Sequence, residues 1–323
     1  MEKNIALIGA GYWGKNHLKN LYKLGALHSV VDADDEILAE RARDYPDVNY
    51  IRDDGEIMEN GDVKGVVIAA PARLHYDLAK RYLLAGKDVL VEKPLALTVR
   101  EGEDLVGLAE KHDRILMVGH ILQYHSAVVA LKDMIDRGEV GDIRYIYSNR
   151  LNLGKLRVEE NVLWSFAPHD ISIILMLLGR EPVRVTASGA SYITSDIYDV
   201  TVTNLEFREN VKGHIFVSWL HPYKEQKLVV VGTEKMVLFD DTSTEKLFIY
   251  PHRVDCENGG APVVQKAEYY TQDLDLKEPL REELVHFIDC IESRKAPRTD
   301  GNEGLQVLRI LERAEKSLKG EID

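Results

Sequence analysis

Three groups of residues in this chain have the types and spacing that chemistry needs. The first is Gly9-Ala-Gly11-Tyr-Trp-Gly14, a G-x-G-x-x-G turn directly after the apolar run Ile5–Ile8. The first glycine permits the tight turn, the second lets backbone approach a pyrophosphate, and the third lets the next helix pack on the strand. That helix, expected over Lys15–Leu24, would present free N–H groups and its positive dipole end to the diphosphate. About twenty residues further on, the run Leu27–Val31 ends in Asp32. A carboxylate there can accept hydrogen bonds from ribose hydroxyls, whereas a 2′-phosphate would meet it as a like charge. Two unit charges about 4 Å apart repel by roughly 4 kcal/mol at an effective dielectric of about 20. Asp34 and Asp35 add acid and supply no arginine. Gly9, Gly11, Gly14 and Asp32 therefore predict a dinucleotide site that takes NAD. The alternative for Asp32 is a cap on the helix that begins near Asp35.

The second group, Glu92-Lys93-Pro94, closes the apolar run that starts at Asp88. Lys93 would emerge on the ligand side of a parallel sheet, and Pro94 disfavours helix at that lysine. An ammonium there can hydrogen-bond a substrate hydroxyl and stabilise the alkoxide that forms as hydride leaves; the plain alternative is a surface lysine neutralised by Glu92. The third group is Asn161-Val-Leu-Trp-Ser165-Phe-Ala-Pro168-His169-Asp170. Pro168 suits a first helical turn and so predicts His169 near a helix N-terminus, where the dipole keeps an imidazole neutral and fit to accept a proton. A capping or packed histidine is the competing reading. His120 and His125 stand five apart with no carboxylate completing a metal site, so no metal is expected.

These groups need elements to hold them. A chain of 323 residues, 45% hydrophobic and 29% charged, fits two globular domains. A net charge of −13 argues against nucleic acid or an anionic membrane as partner, while a local basic pocket still admits an anionic small molecule. Cys256 and Cys290 lie far apart in no metal-like spacing, which suits a reducing cytoplasm. No secretory leader is legible at the N-terminus, and the longest apolar stretch, Ile171–Leu178, is far below the roughly 20 residues of a membrane span.

Up to about Gly119, short apolar runs (residues 65–70, 88–92 and 115–119) alternate with helical patterns at 75–85 and 100–112, the pattern of a doubly wound parallel sheet. From about Gly141 the period becomes two. Strands are expected at 143–149, 183–192, 200–207, 213–220, 228–231, 236–239 and 247–250, with a helix over Pro168–Leu178 and two helices at the end. The last but one carries an amphipathic stripe at Leu284, Phe287, Ile288 and Ile291. The fold class is α/β: a Rossmann domain over residues 1–120, then an α+β domain over 121–323 built on an open, largely antiparallel sheet.

The glycine turn, Ala70-Pro71 with His75 four residues on, Glu92-Lys93-Pro94, His169-Asp170 and the run Asp300-Gly-Asn-Glu-Gly304 together resemble the Gfo/Idh/MocA oxidoreductase family across essentially the whole chain. The resemblance implies NAD(P)-dependent oxidation or reduction of a sugar, cyclitol or nucleotide-sugar hydroxyl by a homodimer or homotetramer. It implies cofactor contacts from Gly9, Gly11, Tyr12, Trp13, Gly14, Asp32, Ala70, Pro71, His75, Glu92 and Lys93, with Lys93 polarising the substrate oxygen and His169 accepting its proton. The family has aspartate four residues before that histidine, and this chain has Ser165, which cannot hold charge against an imidazolium; Asp170, adjacent on a helix, does not share its face. The runs 11–16, 118–125 and 149–154, with 161–164, resemble the branch that oxidises C3 of UDP-N-acetylglucosamine or its uronic acid, with substrate contacts from Tyr124, Arg150, Asn152, Arg157, Ser165 and His169. The alternatives are an inositol or free-sugar dehydrogenase, and a non-catalytic NAD-binding regulator. For Arg150, Asn152 and Arg157 the competing reading is surface salt bridges.

Overall fold

Strands that are apolar at every position are stable only when both faces are covered, and the first sheet is built around such strands. The computed structural model describes residues 2–154, 156–255 and 261–321; Cys256 lies outside the described residues. The chain forms two units, Met1–Tyr124 with Lys277–Arg309, and His125–Leu276 with Ile310–Asp323. In the first, strands β1 (Ile5–Ile8), β2 (Leu27–Val31), β3 (Asn49–Ile51), β4 (Gly65–Ile68), β5 (Asp88–Glu92) and β6 (Leu116–Gly119) make one sheet in the order β3-β2-β1-β4-β5-β6, and all of its pairings are parallel. Helices α1 (Gly14–Leu24), α2 (Asp35–Asp44), α3 (Gly55–Glu59), α4 (His75–Leu84) and α5 (Val99–Lys111) connect them. The chain order reverses between β1 and β4, the switch point where such sheets bind ligands beyond their carboxyl ends.

The second unit opens with α6 (Ser126–Asp136), β7 (Ile143–Leu153), α7 (Val162–Leu178), β8 (Arg184–Ala190), β9 (Val200–Glu206), β10 (Lys212–Ser218), β11 (Leu220–Gly232), β12 (Met236–Asp240) and β13 (Leu247–Tyr250). A short pair, β14 (Arg253–Asp255) and β15 (Val263–Gln265), precedes β16 (Tyr270–Thr271). Eight strands form a sheet in the order β16-β13-β12-β11-β7-β10-β9-β8, antiparallel except where β7 runs beside β10. Alternation along the strands separates its faces. Ile146 and Ser148 on β7, Ile215 and Val217 on β10, and Thr201, Thr203 and Leu205 on β9 are buried, whereas Tyr147, Asn149, His214 and Phe216 on the opposite face are only half-buried.

The last helices are α8 (Pro279–Ser293) and α9 (Gly301–Leu318). The stripe on α8 has its partner in the first unit: Leu284, Phe287 and Ile288 join Ile5, Leu7, Leu18, Leu21 and Val67 in one core, with Ile291 packed against it. The chain therefore returns to the first unit after residue 276, a division that a single boundary at residue 120 lacks. The run Asp300-Gly-Asn-Glu-Gly304 opens α9, with Asp300 Oδ1 accepting the N–H of Glu303 at 2.8 Å.

Three other expectations shift. β3 was not anticipated, being three residues at the sheet edge. β11 begins at Leu220, far ahead of the Leu228 expected, because its polar stretch Glu225-Gln-Lys227 is held by backbone pairing to β7 and carries no apolar alternation. Finally, α7 starts six residues before Pro168: Asn161 is the N-cap, its Oδ1 accepting from Trp164 N at 3.2 Å. Pro168 sits inside the helix, where its ring leaves the carbonyl of Trp164 without an intrahelical donor.

A buried ion pair fixes α7 to the second sheet. Arg150 on β7 donates from Nε to Asp170 Oδ2 at 2.9 Å and from Nη2 to Oδ1 at 3.0 Å, and Ser148 Oγ adds a third donor to Oδ1 at 2.6 Å. Removing one partner of such a pair strands a buried charge. Asp170→Ala is expected to lower the unfolding free energy by about 3–5 kcal/mol, read by urea denaturation. Arg150→Met combined with Asp170→Leu should recover most of the loss, and a single-variant loss under about 1 kcal/mol would mean that water already screens the pair.

Candidate active site

The turn between β1 and α1 has the sterics that its glycines imply. Gly9 has φ +91, and a Cβ there would lie 2.8 Å from the carbonyl oxygen of Ala69. A Cβ on Gly14 would lie 2.1 Å from the Gly9 carbonyl oxygen, so helix and turn close only without one. A Cβ on Gly11 would meet nothing within 4 Å: this face of the turn is open, as the approach of a diphosphate requires. Asp32 Oδ2 accepts the N–H of Ala10 at 2.7 Å and its Oδ1 that of Asp34 at 3.0 Å. The cap of α2 is Asp34, not Asp32: its side chain accepts from Glu36 N and Ile37 N. Asp32 thus braces the glycine turn from the end of β2, and the residues present fit a dinucleotide.

At the end of β5 the Glu92 carboxylate is buried. Its Oε1 accepts from Trp13 Nε1 at 2.5 Å and faces His17 Nε2 at 2.7 Å, while its Oε2 accepts the N–H of Lys93 at 3.2 Å. Burial alone would raise its pKa; the donors on His17 and Trp13 and the charge of Lys93 outweigh it and hold Glu92 below the usual range. This carboxylate therefore ties the glycine turn to the turn carrying Lys93. Lys93 itself is half-buried, and its peptide bond to Pro94 is cis. His17, a buried polar residue on the apolar face of α1 beside Leu18 and Leu21, was missed by sequence reasoning; a histidine interrupting that stripe was the available signal.

His75, expected at the cofactor, is buried and committed to backbone. Its Nδ1 lies 2.7 Å from the Pro94 carbonyl and its Nε2 2.9 Å from the Ala70 carbonyl. Both partners only accept, so each contact needs the ring proton on its own side. Burial favours the neutral ring, which has one such proton, and the loops after β4 and β5 compete for it. Ala70 and Pro71 thus open the loop that His75 braces. Tyr12 is 86% exposed with Lys15 Nζ 5.3 Å from its ring centre. Tyr124 is seated in the first unit, its hydroxyl 3.3 Å from Thr299 Oγ1 and the Arg298 guanidinium 4.9 Å from its ring. His120 Nδ1 lies 2.5 Å from Glu303 Oε2, and His125 caps α6 by accepting from Ala127 N.

In the second unit, Ser165 and His169 stand four residues apart on α7 and share a face; Ser165 is buried and His169 half-buried. His169 occupies the helix interior, so the N-terminal dipole, which fades within the first turn, does not set its basicity. Asp170 faces away into the pair with Arg150. That pair occupies the guanidinium of Arg150, expected at substrate. Arg157 is exposed and pairs with Glu160 at 2.5 Å. Asn152 lies near the end of β7, half-buried.

A 3-2-1-4-5-6 parallel sheet with a glycine turn after its first strand, together with an open mixed sheet in a second unit, defines a dinucleotide-binding α/β protein of two parts. Residues 3–120 match the family model described as oxidoreductase family, NAD-binding Rossmann fold, and residues 128–238 match the GFO/IDH/MocA C-terminal domain; the chain belongs to the Gfo/Idh/MocA family of NAD-binding oxidoreductases. It is 26% identical over 314 residues to a UDP-N-acetylglucosamine 3-dehydrogenase of Acidithiobacillus ferrooxidans, covering 95% of each chain. It is 24% identical over 328 residues to a myo-inositol 2-dehydrogenase of Thermotoga maritima, covering 98% of this chain and 96% of the relative. A solved structure of the A. ferrooxidans enzyme shares the fold with a TM-score of 0.85, at 23% identity over 99% of both chains.

Proposed function

We propose that this oxidoreductase oxidises a hydroxyl, at C3, of a nucleotide sugar such as UDP-N-acetylglucosamine. Supporting the reading is the Glu92 carboxylate, which joins the Lys93 turn to the dinucleotide turn within one unit. The choice of sugar leans on the A. ferrooxidans relative, similar along 95% of both chains. The T. maritima relative favours a second reading, an inositol dehydrogenase. In either case Lys93 binds the reacting hydroxyl and stabilises the negative charge that grows on its oxygen, and His169 takes the proton as the hydroxyl is oxidised. Ser165, a turn before His169, hydrogen-bonds substrate. When bound, NAD supplies the hydride acceptor. The experiment is NADH formation across UDP-N-acetylglucosamine, its uronate, myo-inositol and glucose. Turnover with the nucleotide sugars is expected, and turnover with myo-inositol alone would overturn the choice of sugar. With the reactive substrate, His169→Ala should lower kcat by about 10²–10⁴-fold and Lys93→Ala at least as much; full turnover by His169→Ala would mean the proton leaves by another route.

The cofactor preference follows from Asp32. A repulsion of even a third of the 4 kcal/mol estimated above amounts to about a tenfold preference for NADH over NADPH. Titration calorimetry should find that gap, and Asp32→Ala should narrow it; tighter NADPH binding by the native chain would refute the argument.

The half-buried face of the eight-stranded sheet, where Tyr147 stacks on His214 at 5.0 Å and Tyr145 is 42% exposed, is covered by a second copy in a homodimer or homotetramer. Sedimentation at micromolar concentration is expected to show an oligomer, and a monomer alone would exclude it.

A further inference from the structure

Helix α2 carries an arginine that nothing above uses. The Nε of Arg41 donates to the carbonyl oxygen of Ala10 at 3.1 Å, in the middle of the Gly9-Ala-Gly11 turn. Asp32 holds the same residue from its other end, accepting the N–H of Ala10 at 2.7 Å. The carboxylate read above as the partner of the adenosine ribose and this guanidinium are thus separated by the backbone of one residue. The rest of the guanidinium is lightly used. Nη1 donates to Glu40 Oε1 at 2.7 Å, and the Glu40 side chain is 62% exposed where that of Arg41 is 12% exposed. Nη2 has no acceptor among the described residues and still meets solvent.

Bracing the turn needs less than this. One neutral N–H satisfies a carbonyl, whereas covering a guanidinium costs desolvation and side-chain entropy, and an exposed partner such as Glu40 returns little of either. The neighbouring acids are answered elsewhere: Asp34 caps α2, and Asp35 pairs with Arg52 at 2.8 Å. Arg41 therefore keeps its charge and a free edge of its planar fork, fixed at Nε, for an anion. A dinucleotide has anions at two places. The diphosphate goes to the N–H groups of the glycine turn and the start of α1. The other anion, the 2′-phosphate, exists in NADP(H) alone and lies on the ribose, the side that Asp32 marks.

We propose that Arg41 is a second cofactor-specificity residue: its guanidinium meets the 2′-phosphate of NADP(H) and offsets part of the repulsion from Asp32. The chain then binds both dinucleotides, and Arg41 sets how far NAD(H) is preferred. The inference rests on placing the ribose at Asp32; it concerns the cofactor-binding unit alone and stands whichever sugar is the substrate.

Titration of the full-length chain with NADH and with NADPH, at about 0.15 M salt so that distant surface charges are screened, reads the ratio of the two affinities. Any loss that both dinucleotides share cancels in that ratio. Two substitutions separate charge from bracing. Arg41→Gln places an amide nitrogen at the depth of Nε, where it keeps the bond to Ala10, and removes the charge. Arg41→Lys keeps the charge and has carbon at that depth. Arg41→Gln should lower NADPH affinity relative to NADH about tenfold, and Arg41→Lys should keep most of the native ratio. An unchanged ratio in Arg41→Gln, or a lysine variant that loses as much as the glutamine one, reduces Arg41 to a brace and overturns the proposal. No detectable NADPH binding by the native chain also overturns it. Should one variant not fold, the other decides by the same limits. A native preference for NADPH would refute the reading of Asp32 and leave this comparison standing, because the comparison follows the change made at Arg41 and not the sign of the native preference.

Discussion

A buried carboxylate must be met by donors or it will not stay charged, and in this protein the Glu92 carboxylate organises everything near it. Its donors come from two places. Trp13 and His17 belong to the glycine turn and the first turn of α1, and the backbone N–H of Lys93 belongs to the turn after β5. Neither group can move far without stranding the charge. The two variable residues of the G-x-x-G stretch have divided roles for this reason: Tyr12 points to solvent, whereas Trp13 is 38% exposed with its indole N–H turned inward to Glu92. The glycine turn and the turn carrying Lys93 are then not two motifs that share a sheet. They are two ends of one hydrogen-bonded group.

The second unit uses the same device for another purpose. Helix α7 is apolar on most of its surface, with twelve of its seventeen residues buried, so hydrophobic packing specifies its rotation weakly. The fork of Arg150 on Asp170, reinforced by Ser148, accepts one rotation only. With Asp170 turned to the sheet, Ser165 and His169 fall together on an adjacent face. The cost of burying the pair is thus offset less by stability than by orientation, which is the best-attested use of buried ionic groups.

Much of this was legible in the sequence, and the parts that were not share a cause. β2 and β5 match their runs residue for residue, because each has a short apolar core bounded by turn chemistry, and the glycine turn, the parallel sheet implied by alternation and the place of Lys93 just after β5 followed from them. The start of α7 did not follow. Pro168 is a strong local signal for a first turn, and Asn161, an equally good cap seven residues upstream, carried the true start; tertiary packing of the buried helix tolerates the interior proline. The return of α8 to the first core was likewise hidden, since an amphipathic stripe shows that a partner exists and not which sheet provides it. His75 and His17 were hidden in part or whole for the same reason. Their partners, Pro94 and Ala70 for one and Glu92 for the other, are brought near only by the sheet.

The reassignment of Arg150 also narrows how this unit can meet an anionic substrate. Two arginines follow from the sequence as candidates for a diphosphate. Drawing Arg150 away would leave Asp170, 1% exposed, as an uncompensated buried charge, a loss of several kcal/mol that a surface contact does not recover. Arg157 differs: its partner Glu160 is close, yet the guanidinium side chain is 46% exposed, and exposed pairs of this kind are worth about 1 kcal/mol or less. Exchanging Glu160 for a phosphate oxygen costs little and gains a bidentate acceptor of higher charge. Of the two, only Arg157 can therefore exchange its partner for a ligand's anionic group at small cost, while Arg150 stays committed to holding the helix on which Ser165 and His169 stand.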